Sequence, residues 1–366
     1  MRGTAVLALG LVLAACAGEP SRDVTTPPIS GAPVAPELTD ASTGSGFFIA
    51  ADGAQLPLRL WAPEGTPKAV VLALHGMNDY ANAFAAVGEA LAKVGIATYA
   101  YDQRDFGQAP LRGRWSGIGP MTDDVATASR LLRRRYPGVA LYLLGESMGG
   151  SVAIAAVTGA AGAPRPDCDG VILAAPAVWG RDTMTAIERV ALWTSYQLFP
   201  DLTLTGQGLH ITPSDNIEML RALSRDPLVI KGTRVDAIEG LVDLMDAALA
   251  GGPAIDKPLL LLYGARDEIV PKVPTEIWVD NLPYRTRMTR KLAWYDHGYH
   301  MLLRDLGAPV VWRDIASWID DHRAPLPSGA DRRASDVLFA RGAKGPLTLP
   351  ALRAGSLPLP LAEREN

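Results

Sequence analysis

The ten residues from Leu141 to Gly150, LYLLGESMGG, hold the arrangement in this chain most suited to covalent chemistry. A short apolar run ends in Gly145-Glu146-Ser147-Met148-Gly149 and passes directly into the small-residue run Ser151 to Val157. That pattern reads as strand, sharp turn and helix, with a serine at the turn. In a G-x-S-x-G turn the serine occupies a strained backbone conformation, and the two glycines let strand and helix approach without side-chain clashes. The hydroxyl is thereby presented at the carboxyl edge of a parallel sheet, above the N-terminus of the following helix. A serine hydroxyl is a weak nucleophile at neutral pH. It needs a base within hydrogen-bond reach and an acid that orients the base.

On a sheet of this kind the partners follow in the order acid, then histidine, each on a loop after a later strand. The apolar run Leu259 to Tyr263 is followed by Gly264-Ala265-Arg266-Asp267-Glu268, which places Asp267 just beyond the sheet as the acid. Glu268 is its neighbour and rival, and an aspartate there could equally be a turn former. After Lys291 to Tyr295 come His297 and His300, in Asp296-His297-Gly298-Tyr299-His300-Met301-Leu302. His300 is the better base, since it lies after the Gly298 turn and leads into Met301 to Arg304. A metal role for the pair is disfavoured, because neither a helical H-E-x-x-H nor another His/Cys cluster accompanies it. His75, His210 and His322 fall outside the required order and read as structural. Acyl transfer also wants two backbone donors for an oxyanion, one of them on the residue after the nucleophile. His75-Gly76-Met77 follows the run Ala69 to Leu74, so the expected donors are the amides of Met77 and Met148, with the His75 ring bracing the loop.

These residues require a scaffold. Phe47 to Ala50 and Leu56 to Trp61 flank an Asp52-Gly53 turn and read as an antiparallel hairpin. Ala69 to Leu74, Ile96 to Tyr101, Leu141 to Leu144, Val171 to Ala175, Leu259 to Tyr263 and Lys291 to Tyr295 read as strands. Helical patterns at Tyr80 to Val94, Met121 to Tyr136 and Val310 to His322 alternate with them. The alternation implies an α/β fold with a mostly parallel central sheet, flanked by helices through right-handed crossovers. From Ala177 to about Gly252 no strand is expected. The helical patches there, with Trp179, Trp193, Tyr196, Leu198 and Phe199, read as a cap over the site.

With these segments in order, the chain resembles an α/β-hydrolase of the serine aminopeptidase S33 and monoacylglycerol lipase group, the lysophospholipase-like branch, over about Phe47 to His322. The resemblance rests on His75-Gly76-Met77-Asn78-Asp79-Tyr80, Tyr101-Asp102-Gln103-Arg104 with Phe106-Gly107, Gly145 to Gly150, Gly264 to Asp267 and Gly298-Tyr299-His300-Met301-Leu302. It implies Asp267 over Glu268 and His300 over His297. It also implies a serine esterase or lipase acting on a small lipid or ester substrate, of monoacylglycerol or lysophospholipid type, with no cofactor and no metal. Asp105 departs from the family, whose loop usually carries glycine. The same triad serves in aminopeptidases, which would need carboxylates such as Asp215, Glu218 or Asp226 to hold a substrate ammonium. Acyl transfer to an alcohol and simple acyl binding are further alternatives.

Composition sets the outer limits. The chain has 366 residues, 48% of them hydrophobic, which is ample for a large core. A net charge of -4, with no basic run carrying interleaved aromatics, excludes nucleic acid as an expected partner. Two cysteines cannot form a disulfide framework. Met1-Arg2 followed by the short apolar run Thr4 to Ala15 reads as an export signal, too brief to span a bilayer. It ends in Leu13-Ala14-Ala15-Cys16, which resembles the bacterial lipoprotein box. Residues 1–15 are thus expected as a signal peptide and Cys16 as the lipidated residue. Residues 16–45, rich in Pro, Ser, Thr and Gly, are expected as a tether. By resemblance to lipoprotein sorting in Gram-negative bacteria, the non-acidic Ala17 after the cysteine implies the outer membrane, facing the periplasm. The hydrolase domain is expected over 46–322, and a Pro/Arg-rich, poorly ordered tail over 323–366.

Overall fold

The computed structural model describes residues 34–39, 46–160, 162–206, 208 and 211–338. Its strands are β1 (Glu37–Leu38), β2 (Gly46–Ile49), β3 (Gln55–Trp61), β4 (Ala69–Leu74), β5 (Ile96–Tyr101), β6 (Ala140–Glu146), β7 (Gly170–Ala174), β8 (Thr203–Thr205), β9 (Gly232–Arg234), β10 (Leu259–Gly264) and β11 (Arg290–Tyr295). Nine of them form one sheet in the order β1-β2-β3-β5-β4-β6-β7-β10-β11. β1, β2 and β3 join it antiparallel, and the six strands from β5 to β11 run parallel. Every residue of β4, β5, β7 and β10 is buried, as it must be when both faces of a parallel sheet are covered.

The helices are α1 (Ala85–Ala92), α2 (Ile118–Arg135), α3 (Met148–Thr158), α4 (Ala186–Leu198), α5 (Ile217–Arg225), α6 (Val235–Gly251), α7 (Lys272–Asp280), α8 (Ala308–Asp320) and α9 (Ala330–Leu338). Met121, Val125 and Ala128 of α2, Val152 to Val157 of α3, Leu244 and Ala248 of α6, and Trp278 of α7 build the core on one face. Val87 and Leu91 of α1 with Val311, Ile315 and Trp318 of α8 build the core on the other. The chain enters the parallel sheet at β4, turns one way to β5 and then crosses to β6. The carboxyl ends of β4 and β6 therefore flank the crevice where an open α/β sheet collects ligands. Their register, Leu74 opposite Gly145, places the turn after β4 beside the turn after β6.

Three expectations are corrected. The cap contains strands: β8 and β9 pair antiparallel within it, Thr203 opposite Arg234. Three residues are too few to display an alternating pattern, which hid them from a periodicity argument. At the other end, residues 323–338 are not a poorly ordered tail. Leu326, Ala330 and Ala334 are buried, and α9 packs on the edge strand β11. Ala330 and Ala334 lie one turn apart and give close approach to β11, while Lys291 on that strand reaches Asp331. In the proposed tether, Glu37 and Leu38 form a strand against Ile49 and Phe48, satisfying the free edge of the hairpin. The signal segment, Cys16 and residues 339–366 lie outside the described residues.

Candidate active site

Ser147 stands between β6 and α3 with φ 53° and ψ −118°, a conformation that costs energy for any residue with a Cβ. Its surroundings hold it there. Its amide donates to the Ala174 carbonyl at 3.0 Å, and its own carbonyl accepts from Gly150, Ser151 and Ala177. A side chain on Gly149 would fall on the Leu74 carbonyl and one on Gly145 on the Gly149 carbonyl, so strand and helix meet with no room between them. Met148 opens α3, and its amide belongs to the first turn, where helical N–H groups have no intrahelical acceptor. Across the crevice, a Cβ on Gly76 would lie 3.3 Å from the Ser147 Cβ. The loop carrying Met77 is thus directly beside the serine.

That loop is braced by His75 as expected. The buried ring accepts from the Gln103 amide at Nε2 (2.9 Å), which assigns the proton to Nδ1, where it donates to the Gly76 carbonyl at 2.8 Å. Gln103 returns a side-chain bond to the His75 carbonyl, and the ring packs edge-on against Phe106. Burial lowers the pKa of His75, in keeping with a neutral structural ring.

Beyond β10 and β11 the two expected partners of the serine, Asp267 and His300, meet. His300 Nδ1 lies 2.9 Å from Asp267 Oδ2, with the aspartate side chain 0% and the histidine side chain 6% exposed. The other oxygen, Oδ1, accepts the amides of Ile269 and Val270, each at 2.9 Å. The carboxylate is therefore anchored by two backbone donors and aims its remaining oxygen at the imidazole. Burial alone would lower the His300 pKa, but the Asp267 charge and hydrogen bond, with help from Glu146, raise it. The two loops fit because Gly264 and Gly298 pack backbone on backbone, leaving no space for a side chain on Gly264. The rivals lie elsewhere. Glu268 is exposed and accepts the Thr212 amide of the cap, and His297 is exposed with its Nδ1 3.2 Å from Arg266.

Asp105 occupies a left-handed conformation with φ 73°, which explains the usual preference for glycine there. Its buried carboxyl receives the Ser116 amide and hydroxyl and fastens the segment between them, and burial pushes it up to about 6. The sequence reading missed a second set of residues. Arg304 is buried between Asp79 and Glu146, and the cap segment Pro213 to Asn216 bonds to Met301, Arg304, Asp305 and Leu306. Arg304 ends the Met301-Leu302-Leu303 run, and a cation next to an apolar run was the one available signal. A cavity of about 370 Å³, lined by Tyr295, His297, Leu302, Asp305, Val311 and Arg333 among others, lies against the His300 loop but is not lined by Ser147.

The sequence profile of the family described as serine aminopeptidase, S33, matches residues 65–307, a span that includes both loops and the cap. The chain belongs to this family. Among curated relatives, the monoacylglycerol lipase of Mycolicibacterium smegmatis is 24% identical over 278 residues, covering 75% of this chain and 96% of that protein. The monoglyceride lipase of Mus musculus is 26% identical over 288 residues, covering 77% and 92%. A soluble variant of monoglyceride lipase from Saccharomyces cerevisiae, solved with a substrate analog, superposes with a TM-score of 0.63 at 19% identity, covering 84% of this chain and 99% of that one. The architecture of this S33-family chain is the α/β-hydrolase fold.

Proposed function

We propose that this protein hydrolyses carboxylic esters of lipids, of monoacylglycerol or lysophospholipid type, through an acyl-enzyme. The observation that carries the reading is the Asp267–His300 hydrogen bond at 2.9 Å, sealed from solvent, at the same sheet edge as a serine held at positive φ. His300, oriented through Nδ1, takes the Ser147 proton at Nε2 as the hydroxyl attacks the ester carbonyl. The amides of Met77 and Met148 stabilise the oxyanion, and His300 then protonates the departing alcohol. Water repeats the cycle on the acyl-enzyme. Asp267 stays ionised and stabilises the imidazolium. The exposed Ile187, Val190, Trp193, Leu198 and Phe199 give the cap an apolar surface compatible with a lipid substrate, and the curated relatives named above are lipases of that type.

The peptidase alternative finds less support. Asp215 accepts the Leu306 amide, Glu218 pairs with Arg221, and Asp226 accepts the Tyr80 hydroxyl and the Leu228 amide. Each candidate for holding a substrate ammonium is already engaged. Purified protein and Ser147→Ala, assayed on monoacylglycerols, lysophospholipids and aminoacyl amides, test the reading. Ester hydrolysis that survives Ser147→Ala sinks it, and a preference for the amides transfers the chain to the peptidase reading.

We further propose, from sequence alone, that the protein is exported and anchored to a bacterial outer membrane by lipid on Cys16, each buried acyl methylene adding about 0.8 kcal/mol. Cys16→Ser should move it from the membrane fraction to the soluble fraction. A variant that stays membrane-bound rules the anchor out.

A further inference from the structure

Three loops must hold register for the proposed chemistry, and one side chain touches two of them from the third. Arg304 lies four positions after His300, and its side chain is 9% exposed. Its Nη1 is 2.7 Å from Asp79 Oδ2, two positions beyond Met77, and its Nη2 is 3.0 Å from Glu146 Oε2, the residue before Ser147. The Arg304 carbonyl also accepts from Asn216 Nδ2 at 2.9 Å, which adds the cap to the assembly.

Burying three charges is expensive, and desolvation commonly outweighs the attraction within such a group. Here one cation faces two carboxylates, and Arg304 Nε and Glu146 Oε1 are buried without a protein hydrogen-bond partner among the described residues. Stability alone would be served as well by apolar residues. What apolar residues cannot supply is direction: a planar guanidinium offers donors in a fixed fork, whereas packing constrains three loops only loosely.

We propose that Arg304 is a positioning residue that sets the oxyanion loop, the nucleophile turn and the histidine loop relative to one another, with Asp79 and Glu146 as its two holds. The proposal rests on the serine-hydrolase reading above. Glu146 has a second effect, since its carboxylate, Asp267 and Arg304 are the charged groups facing His300, and the two carboxylates favour the imidazolium while Arg304 opposes it.

The test uses the purified protein and its variants Arg304→Lys, Glu146→Gln and Asp79→Asn, each checked for folding by circular dichroism and thermal melting. Lysine keeps the charge but loses the fork. A displacement of about 1 Å costs about 100-fold, so kcat should fall by that order in Arg304→Lys while KM changes little. Glu146→Gln keeps an acceptor for Arg304 but removes a charge that faces His300, so the acid limb of kcat/KM should move to lower pH. Asp79→Asn weakens one of the two holds, so it too should lower kcat with little change in KM. A merely structural ion pair would lower the melting temperature and leave kcat of the folded variants unchanged. A folded Arg304→Lys with wild-type kcat overturns the proposal. Should Arg304→Lys fail to fold, Asp79→Asn decides, and a folded Asp79→Asn with wild-type kcat overturns the proposal. Ester hydrolysis that survives Ser147→Ala would instead mark failure of the functional reading itself.

Discussion

Replacing Asp267 by asparagine removes one charge and no volume, and the surrounding donors make its consequence calculable. The carboxylate accepts three N–H groups: two backbone amides at Oδ1 and His300 Nδ1–H at Oδ2. An asparagine has one accepting atom and one donating group at these places. If its oxygen faces the Ile269 and Val270 amides, its NH2 faces His300 Nδ1, which must then accept and shift the proton to Nε2. In the opposite orientation the NH2 meets two backbone donors, an arrangement with no hydrogen bond to gain and a buried desolvation cost of about 1–3 kcal/mol. The first orientation wins. The imidazole then presents a proton to Ser147 instead of a lone pair, and it can no longer act as base. Loss of the correct tautomer in a triad costs about 10⁴ in kcat, or about 5 kcal/mol of transition-state stabilisation. Glu268→Gln is the matched control, since Glu268 is exposed and accepts a single cap amide. Its kcat should stay within about tenfold, because the glutamine oxygen can still accept the Thr212 amide of the cap. Hydrolysis of a medium-chain p-nitrophenyl ester, measured beside a thermal melt for each variant, checks both. Equal losses in the two variants, or an Asp267→Asn within tenfold of wild type, would refute the assignment of the acid.

Two other outcomes follow from charge. The activity of the wild-type protein should rise through the raised pKa of His300, so the acid limb of kcat/KM lies above pH 6.5, and a limb below that value contradicts the Asp267 pairing. The same shift stabilises the fold on the acid side, an effect fully present below pH 6.5 and lost as pH climbs through the folded value. Asp105→Asn should raise the melting temperature at pH 8. Burial holds the Asp105 carboxyl up to about 6 against an ordinary 3.8, so its proton-linked stabilisation is present below pH 3.8 and gone above pH 6. The buried charge then costs about 3 kcal/mol at neutral pH. Asparagine can still accept the Ser116 amide and donate to its hydroxyl, and it tolerates positive φ. A variant melting lower than wild type at pH 8, with the difference unchanged at pH 4, would show that the carboxylate is net stabilising.

Much of the scaffold was legible because its signals are local. β4, β5, β7 and β10 are short apolar runs bounded by turn residues, and burial on both faces demands just that composition. Gly145 and Gly149 announce a turn in which strand and helix touch, and their contacts bear this out. The segments missed were those whose logic is non-local. β8 and β9 are recognisable only as a pair, with 26 residues between them. α9 packs on β11 through two alanines, and its surrounding Pro, Gly and Arg mimic a loose tail.

The same division runs through the site. By itself the sequence determined which chemistry was on offer, because a nucleophile turn, an acid after one strand and a histidine after a later one must appear in that order on a parallel sheet. It pointed to Asp267 from its place after the strand but left Glu268 as a rival, since adjacent carboxylates differ only in where their backbone points them. Tertiary structure separates the two: two amides beyond β10 capture one oxygen of Asp267 and turn the other to His300, while Glu268 turns outward to the cap. Tertiary structure also revealed Arg304, whose partners are 225 and 158 positions away in the chain and meet it only because β4, β6 and β11 end at the same edge of one sheet.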